Sequence, residues 1–196
     1  ATIDSGEMGK ILAIKGTNQG MCPGGWFTDA KLAGGGAVID HTVHMADLMR
    51  FVTGAEAATV YAETGSKLLG GETEDSGVLT VEFTNGTFAT IDCSWSRPKK
   101  SYPTWGNLNM DVTGMNGTAR LTMFAQKIDL YSEKLGKLVY EYWGDDVGTV
   151  LIDSFARSIA EDKPVAISGN DGLKATEIAL AAYKSAKMGV AINLLE

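Results

Sequence analysis

Both histidines of the chain fall in one short stretch, Asp40-His41-Thr42-Val43-His44-Met45-Ala46-Asp47, which also holds two carboxylates. An imidazole titrates near neutral pH, so it can take or give a proton during a reaction. A carboxylate one helical turn away can orient that ring or accept a hydrogen bond from a substrate hydroxyl. At about 100° per residue, Asp40, His44 and Asp47 share an arc of roughly 60° on a helix, with Phe51 in the same arc. Val38, Met45, Met49 and Val52 lie opposite, as a core face does. A polar stripe is ordinarily a solvated helix face, but a large aromatic within it argues for a covered surface. The rival chemistry is a metal site on His41 and His44 with Asp40 or Asp47 as oxygen ligands. Two histidines with carboxylates and no cysteine make a weak ligand set, and the reading is that no metal binds.

The elements that must position these groups follow from periodicity. The histidine segment predicts a helix over Gly36 to Thr53, stopped by Gly54 in a left-handed position. Gly34-Gly35-Gly36 precede it and permit close approach of another backbone or a cofactor. A short strand is expected over residues 10–16, then an irregular loop through Cys22-Pro23-Gly24-Gly25-Trp26-Phe27. The middle of the chain reads as hairpins. Leu79, Val81 and Phe83 alternate before Asn85-Gly86; Ala89, Ile91, Cys93 and Trp95 alternate after it. Leu108, Met110 and Val112 alternate before Asn116-Gly117, and Ala119, Leu121 and Met123 after it. A further pair, around Ile128–Tyr131 and Lys137–Tyr142, turns near Leu135-Gly136. Val147, Leu151, Phe155 and Ile159 recur at four-residue steps before Pro164. A last helix runs from about Asn170 to Gly189 with a stripe of Ala175, Ala179, Ala182 and Ala186, and Val190, Ile192 and Leu194 suit a final edge strand. Helices grouped around a continuous antiparallel run indicate an α+β fold in a single domain, residues 1–196.

Composition narrows the partners. With 24 acids against 17 bases the formal charge is −7, which argues against nucleic acid and anionic membrane as binding partners. No apolar run approaches a membrane span, and no signal peptide is visible. Cys22 and Cys93 form no C-x-x-C motif; reduced thiols in a cytoplasmic protein are the expectation. Ser94 and Ser96 lack a free histidine partner, so a hydrolase triad has little support. Trp26 and Arg97 flank element ends, where aromatic faces and a guanidinium suit a polyol; packing and surface charge are the alternatives for them, as packing is for Trp105.

The block Gly34-Gly35-Gly36-x-x-x-Asp40-x-x-x-His44-x-x-Asp47-Leu48-x-Arg50-Phe51-x-x-Gly54 resembles the signature of the Gfo/Idh/MocA (glucose–fructose oxidoreductase / inositol dehydrogenase) family. Ser5-Gly6-Glu7-Met8-Gly9-Lys10-Ile11 is similar to the start of that family's second domain, Val112-x-Gly114-x-x-Gly117 to one of its hairpins, and Phe155 with Ser168-Gly169-x-Asp171-Gly172 to its closing helices. The resemblance implies a large, mostly antiparallel open-faced sheet with helices on one face, like the C-terminal domain of glyceraldehyde-3-phosphate dehydrogenase. It implies NAD(P)-dependent oxidation or reduction of a hydroxyl on a sugar, cyclitol or related polyol. His44 would then be the general acid/base and Asp40 its partner, with Trp26, Arg97 and Asp47 at the substrate and Gly35 and Gly36 near NAD or NADP. The family's glycine-rich Rossmann fingerprint and E-K-P lysine are missing; Lys163-Pro164 lies at the exit of a C-terminal helix. The expectation is therefore a substrate-side domain, inactive alone and lacking an N-terminal cofactor domain, that forms homo-oligomers through its sheet face. A non-catalytic binding or assembly module on the same fold is the alternative.

Overall fold

The computed structural model describes residues 5–195, so the extreme ends of the expected 1–196 domain lie outside it. Its centre is a nine-stranded sheet, with strands numbered in chain order, arranged β8-β7-β6-β5-β1-β4-β3-β2-β9. β1 (Ile11–Gly20) is the middle strand, antiparallel to β5 (Gly106–Gly114) and parallel to β4 (Phe88–Asp92). All other pairings are antiparallel. The expected hairpins form: β3 (Ser76–Phe83) turns into β4 with Gly86 at φ 84°, β5 turns into β6 (Gly117–Thr122), and β7 (Lys127–Ser132) into β8 (Lys137–Tyr142). β9 (Ile192–Asn193) is the expected short edge strand on β2 (Ala57–Gly65).

Two strands depart from the sequence reading for identifiable reasons. β2 has no counterpart there, because a register shift between Ala57 and Thr59 breaks its alternation and its inward residues include small Ala57 and Ala62. β1 runs four residues further than expected, since its inward positions beyond Ile14 are Gly16, Asn18 and Gly20, which carry no hydrophobic signal. Gly16 is needed where it stands. A Cβ there would lie 2.6 Å from the Met49 methyl and 2.7 Å from Met45, so the helix rests directly on the strand backbone.

One face of the sheet carries the two longest helices. After a 3₁₀ turn at Gly25–Thr28 and the short α1 (Ala30–Ala33), α2 (Ala37–Thr53) packs across β1, β3 and β4. α4 (Gly169–Met188) lies beside α2 and over β2, with Ala175, Ala179 and Ala182 buried along the expected stripe. Its first turn is closed by a reciprocal Ser168–Asp171 capping box. α3 (Val147–Ala160) forms as expected, but it has no buried residue: Val147, Leu151, Phe155 and Ile159 are all exposed. The opposite face of the sheet is open and exposes Tyr61, Val78, Phe88, Tyr131, Tyr140 and Tyr142. No described helix is long and apolar enough to cross a membrane.

Candidate active site

The site is built on the first two turns of α2. A helix start leaves backbone N–H groups without intrahelical acceptors, and the residue at this cap, Gly36, has no side chain to supply one. Glu74, on the connection between β2 and β3, supplies it instead. Its Oε1 accepts from the N–H of Gly36 at 2.8 Å and of Val38 at 3.0 Å, and its carbonyl accepts from Ala37 at 3.0 Å. The Tyr183 hydroxyl, from α4, donates to the same Oε1 at 2.7 Å and accepts from the Ile39 N–H at 3.1 Å. Burial and the Glu74 charge push the Tyr183 phenol far above its ordinary range, so it remains a donor. The glycines make this possible. A Cβ on Gly36 would lie 2.0 Å from the Glu74 carbonyl, and one on Gly35 would lie 2.1 Å from the Tyr183 hydroxyl. The close approach that the triple glycine permits is thus taken by these two protein groups.

His41, one residue past Asp40, points inward and is 3% exposed. Its Nδ1 lies 3.1 Å from the Cys93 carbonyl, to which it donates as the Nδ1–H tautomer, and its own carbonyl accepts from Asn18 Nδ2. Burial pushes its pKa below the ordinary histidine value, with Asp40 pulling the other way. The ring fits because residue 20 is glycine: a Cβ there would lie 2.7 Å from His41 Cε1 and 2.9 Å from the Trp105 ring. Trp105 tilts over His41 at 5.9 Å and meets Phe124 edge-on.

Asp40 stands between this interior and the surface. Its Oδ2 accepts from the Trp95 indole at 2.9 Å and lies 3.3 Å from His41 Nε2. His44, one turn further on, is exposed, and its side chain makes no hydrogen bond to another described residue. The pair therefore combines a held carboxylate with an imidazole free to meet a ligand, a pairing suited to proton transfer. The two histidines diverge, one buried and one exposed, and among the described residues no group of three or more His, Cys, Asp or Glu converges as a metal site.

The other predicted site residues are spread around this pair. Asp47 lies on the same stripe and lines a cavity of about 490 Å³ with Arg50, Phe51, Glu56, Ile167 and Asp171. Arg50 is its nearest cation, at 3.7 Å. Phe51 is 79% exposed. Trp26 is exposed and stacked on Phe27 at 4.0 Å. Arg97 is not brought to Asp40. It donates to Asn107 Oδ1 at 2.8 Å and to Gln19 Oε1 and lies over the Tyr102 ring, on the side of the sheet away from α2. Cys22 and Cys93 are buried and free, and burial lifts the Cys93 thiol to about 12, so it is no nucleophile. The sequence reading placed Trp95 on the core face without giving it a polar role. The available signal was that a buried indole N–H needs an acceptor.

A family model described as the GFO/IDH/MocA C-terminal domain matches residues 1–120. The chain belongs to the GFO/IDH/MocA family. Over 203 residues it is 27% identical to "Uncharacterized oxidoreductase YrbE" of Bacillus subtilis, covering 98% of this chain and 57% of that protein. Over 209 residues it is 25% identical to the myo-inositol 2-dehydrogenase of Thermotoga maritima, covering 99% and 59%. Among solved structures, levoglucosan dehydrogenase in complex with NADH and levoglucosan superposes with a TM-score of 0.87 at 19% identity, over 99% of this chain and 61% of that one. These relatives of the GFO/IDH/MocA chain are oxidoreductases and dehydrogenases, and the chain spans less than two thirds of their length.

Proposed function

We propose that this GFO/IDH/MocA chain is the substrate-side part of an NAD(P)-dependent oxidoreductase that acts on a hydroxyl of a sugar, cyclitol or related polyol. The observation that carries the reading is the pairing on α2 of a held Asp40 with an exposed, unbonded His44 one turn away. In the oxidative direction His44 takes the hydroxyl proton, a nicotinamide bound beside it would supply the acceptor for the hydride of the same carbon, and Asp40 accepts a hydrogen bond from the substrate or orients the imidazole. Reduction runs the same transfers backward. Asp47 and Trp26 remain candidates for the surroundings of the substrate, and the cofactor's edge would come near half-buried Gly35 rather than buried Gly36.

Support for the reading also comes from relatives. One is a myo-inositol dehydrogenase, another a D-glucoside 3-dehydrogenase, and a structural neighbour is an NADH complex. The cofactor itself belongs mainly to a second lobe on this account. Phe51 and the uncovered apolar side of α3 are the surfaces such a lobe would cover. The test is an assay of NAD(P)-linked polyol oxidation with the 196-residue chain alone and joined to a dinucleotide-binding lobe. Turnover is expected only in the joined protein, and the chain alone should show no submillimolar NADH binding. Tight NADH binding by the chain alone would overturn the division of labour.

A further inference from the structure

We infer that Trp95 is a positioning residue for Asp40, fixing one carboxylate oxygen so that the other is presented outward; the inference rests on the proton-transfer reading above. The donor is rigid. Trp95 is 3% exposed, and its backbone N–H donates to the Asp75 carbonyl at 2.8 Å. The flanking residues are tied to the end of β1, with Gly20 N–H donating to Ser94 at 3.2 Å and Arg97 N–H to Gly20 at 3.0 Å. Cys22, Ala37 and Phe27 pack around the indole. The indole is thus held in place, and its N–H donates to Asp40 Oδ2 at 2.9 Å.

On the other side of the same oxygen His41 Nε2, unprotonated in the Nδ1–H tautomer, stands at 3.3 Å without donating, and its own ring is held by the Cys93 carbonyl and the Trp105 face. Oδ1 of Asp40 receives no hydrogen bond from any described residue. A carboxylate gripped through one oxygen keeps its plane, and the second oxygen is then aimed before the substrate arrives. Such preorganisation raises turnover more than it raises ground-state binding.

Two experiments test this. In the 196-residue chain, the Trp95 indole proton signal should be protected from solvent exchange and should shift when Asp40→Asn is introduced. A Trp95 signal indifferent to that substitution overturns the inference, and this readout needs no catalysis. In the active oxidoreductase, Trp95→Phe should lower kcat about tenfold or more while KM changes less than about twofold. An unchanged kcat in Trp95→Phe, where Asp40→Asn lowers kcat, also overturns it. If Asp40→Asn and His44→Ala both leave kcat unchanged, the proton-transfer reading fails instead, and the indole measurement still decides whether Trp95 holds Asp40.

Discussion

At the scale of single residues, neighbours one position apart on α2 have different chemistry because one faces the sheet and the other the surface. Burial depresses the pKa of His41, so the unfolded chain binds a proton that the folded chain resists. Stability should therefore fall as pH drops below the ordinary histidine value of 6.5, and level off once pH passes below the folded-state pKa. Thermal melts across this range should show that slope in the wild type and a shallower one in His41→Asn, which can keep a donor toward the Cys93 carbonyl. Equal slopes would contradict the buried neutral ring. The Asp40–His44 spacing was legible because two residue types and a helical period suffice to state it. The roles of Trp95 and His41 were not, since each depends on partners more than 50 residues away, Asp40 for Trp95 and Cys93 for His41.

At the scale of elements, α2 is held at both ends by side chains from elsewhere. Its C-terminal turn is pinned by Arg50, which grips Glu56 through two nitrogens at 2.7 and 2.8 Å and reaches Asp171 at the start of α4 at 3.3 Å. Its start depends on Glu74 and Tyr183. Glu74→Ala should cost about 1–2 kcal/mol by removing the acceptor for two helix N–H groups, measured by denaturant unfolding. A loss below a few tenths would mean that water caps the helix as well. The sequence reading located α2 and its Gly54 stop because apolar period and a glycine terminator are local signals. It could not supply the cap, because the capping carboxylate lies 38 residues from Gly36. The parallel β1–β4 pairing escaped for the same reason: a hairpin signal is local, and this contact joins residues about 75 apart in sequence.

At the scale of the molecule, two apolar surfaces are left exposed, the open sheet face and one side of α3. The open sheet face displays Tyr61, Phe88, Tyr131, Tyr140 and Tyr142 and is the surface we propose for self-association. Sedimentation at rising concentration should show a homo-oligomer, and charged substitutions at Phe88 and Tyr140 should return it to monomer; a strictly monomeric profile would contradict that proposal. α3 was legible as a helix from its four-residue step, but its packing was not, since periodicity announces an apolar side without naming what covers it.

We propose, before all else, that His44 carries the substrate proton during hydride transfer. The most direct measurement is kcat for NAD(P)-linked polyol oxidation in His44→Ala. A fall of about 10²- to 10⁴-fold is expected, with the folded structure and cofactor binding retained. An unchanged kcat would contradict it.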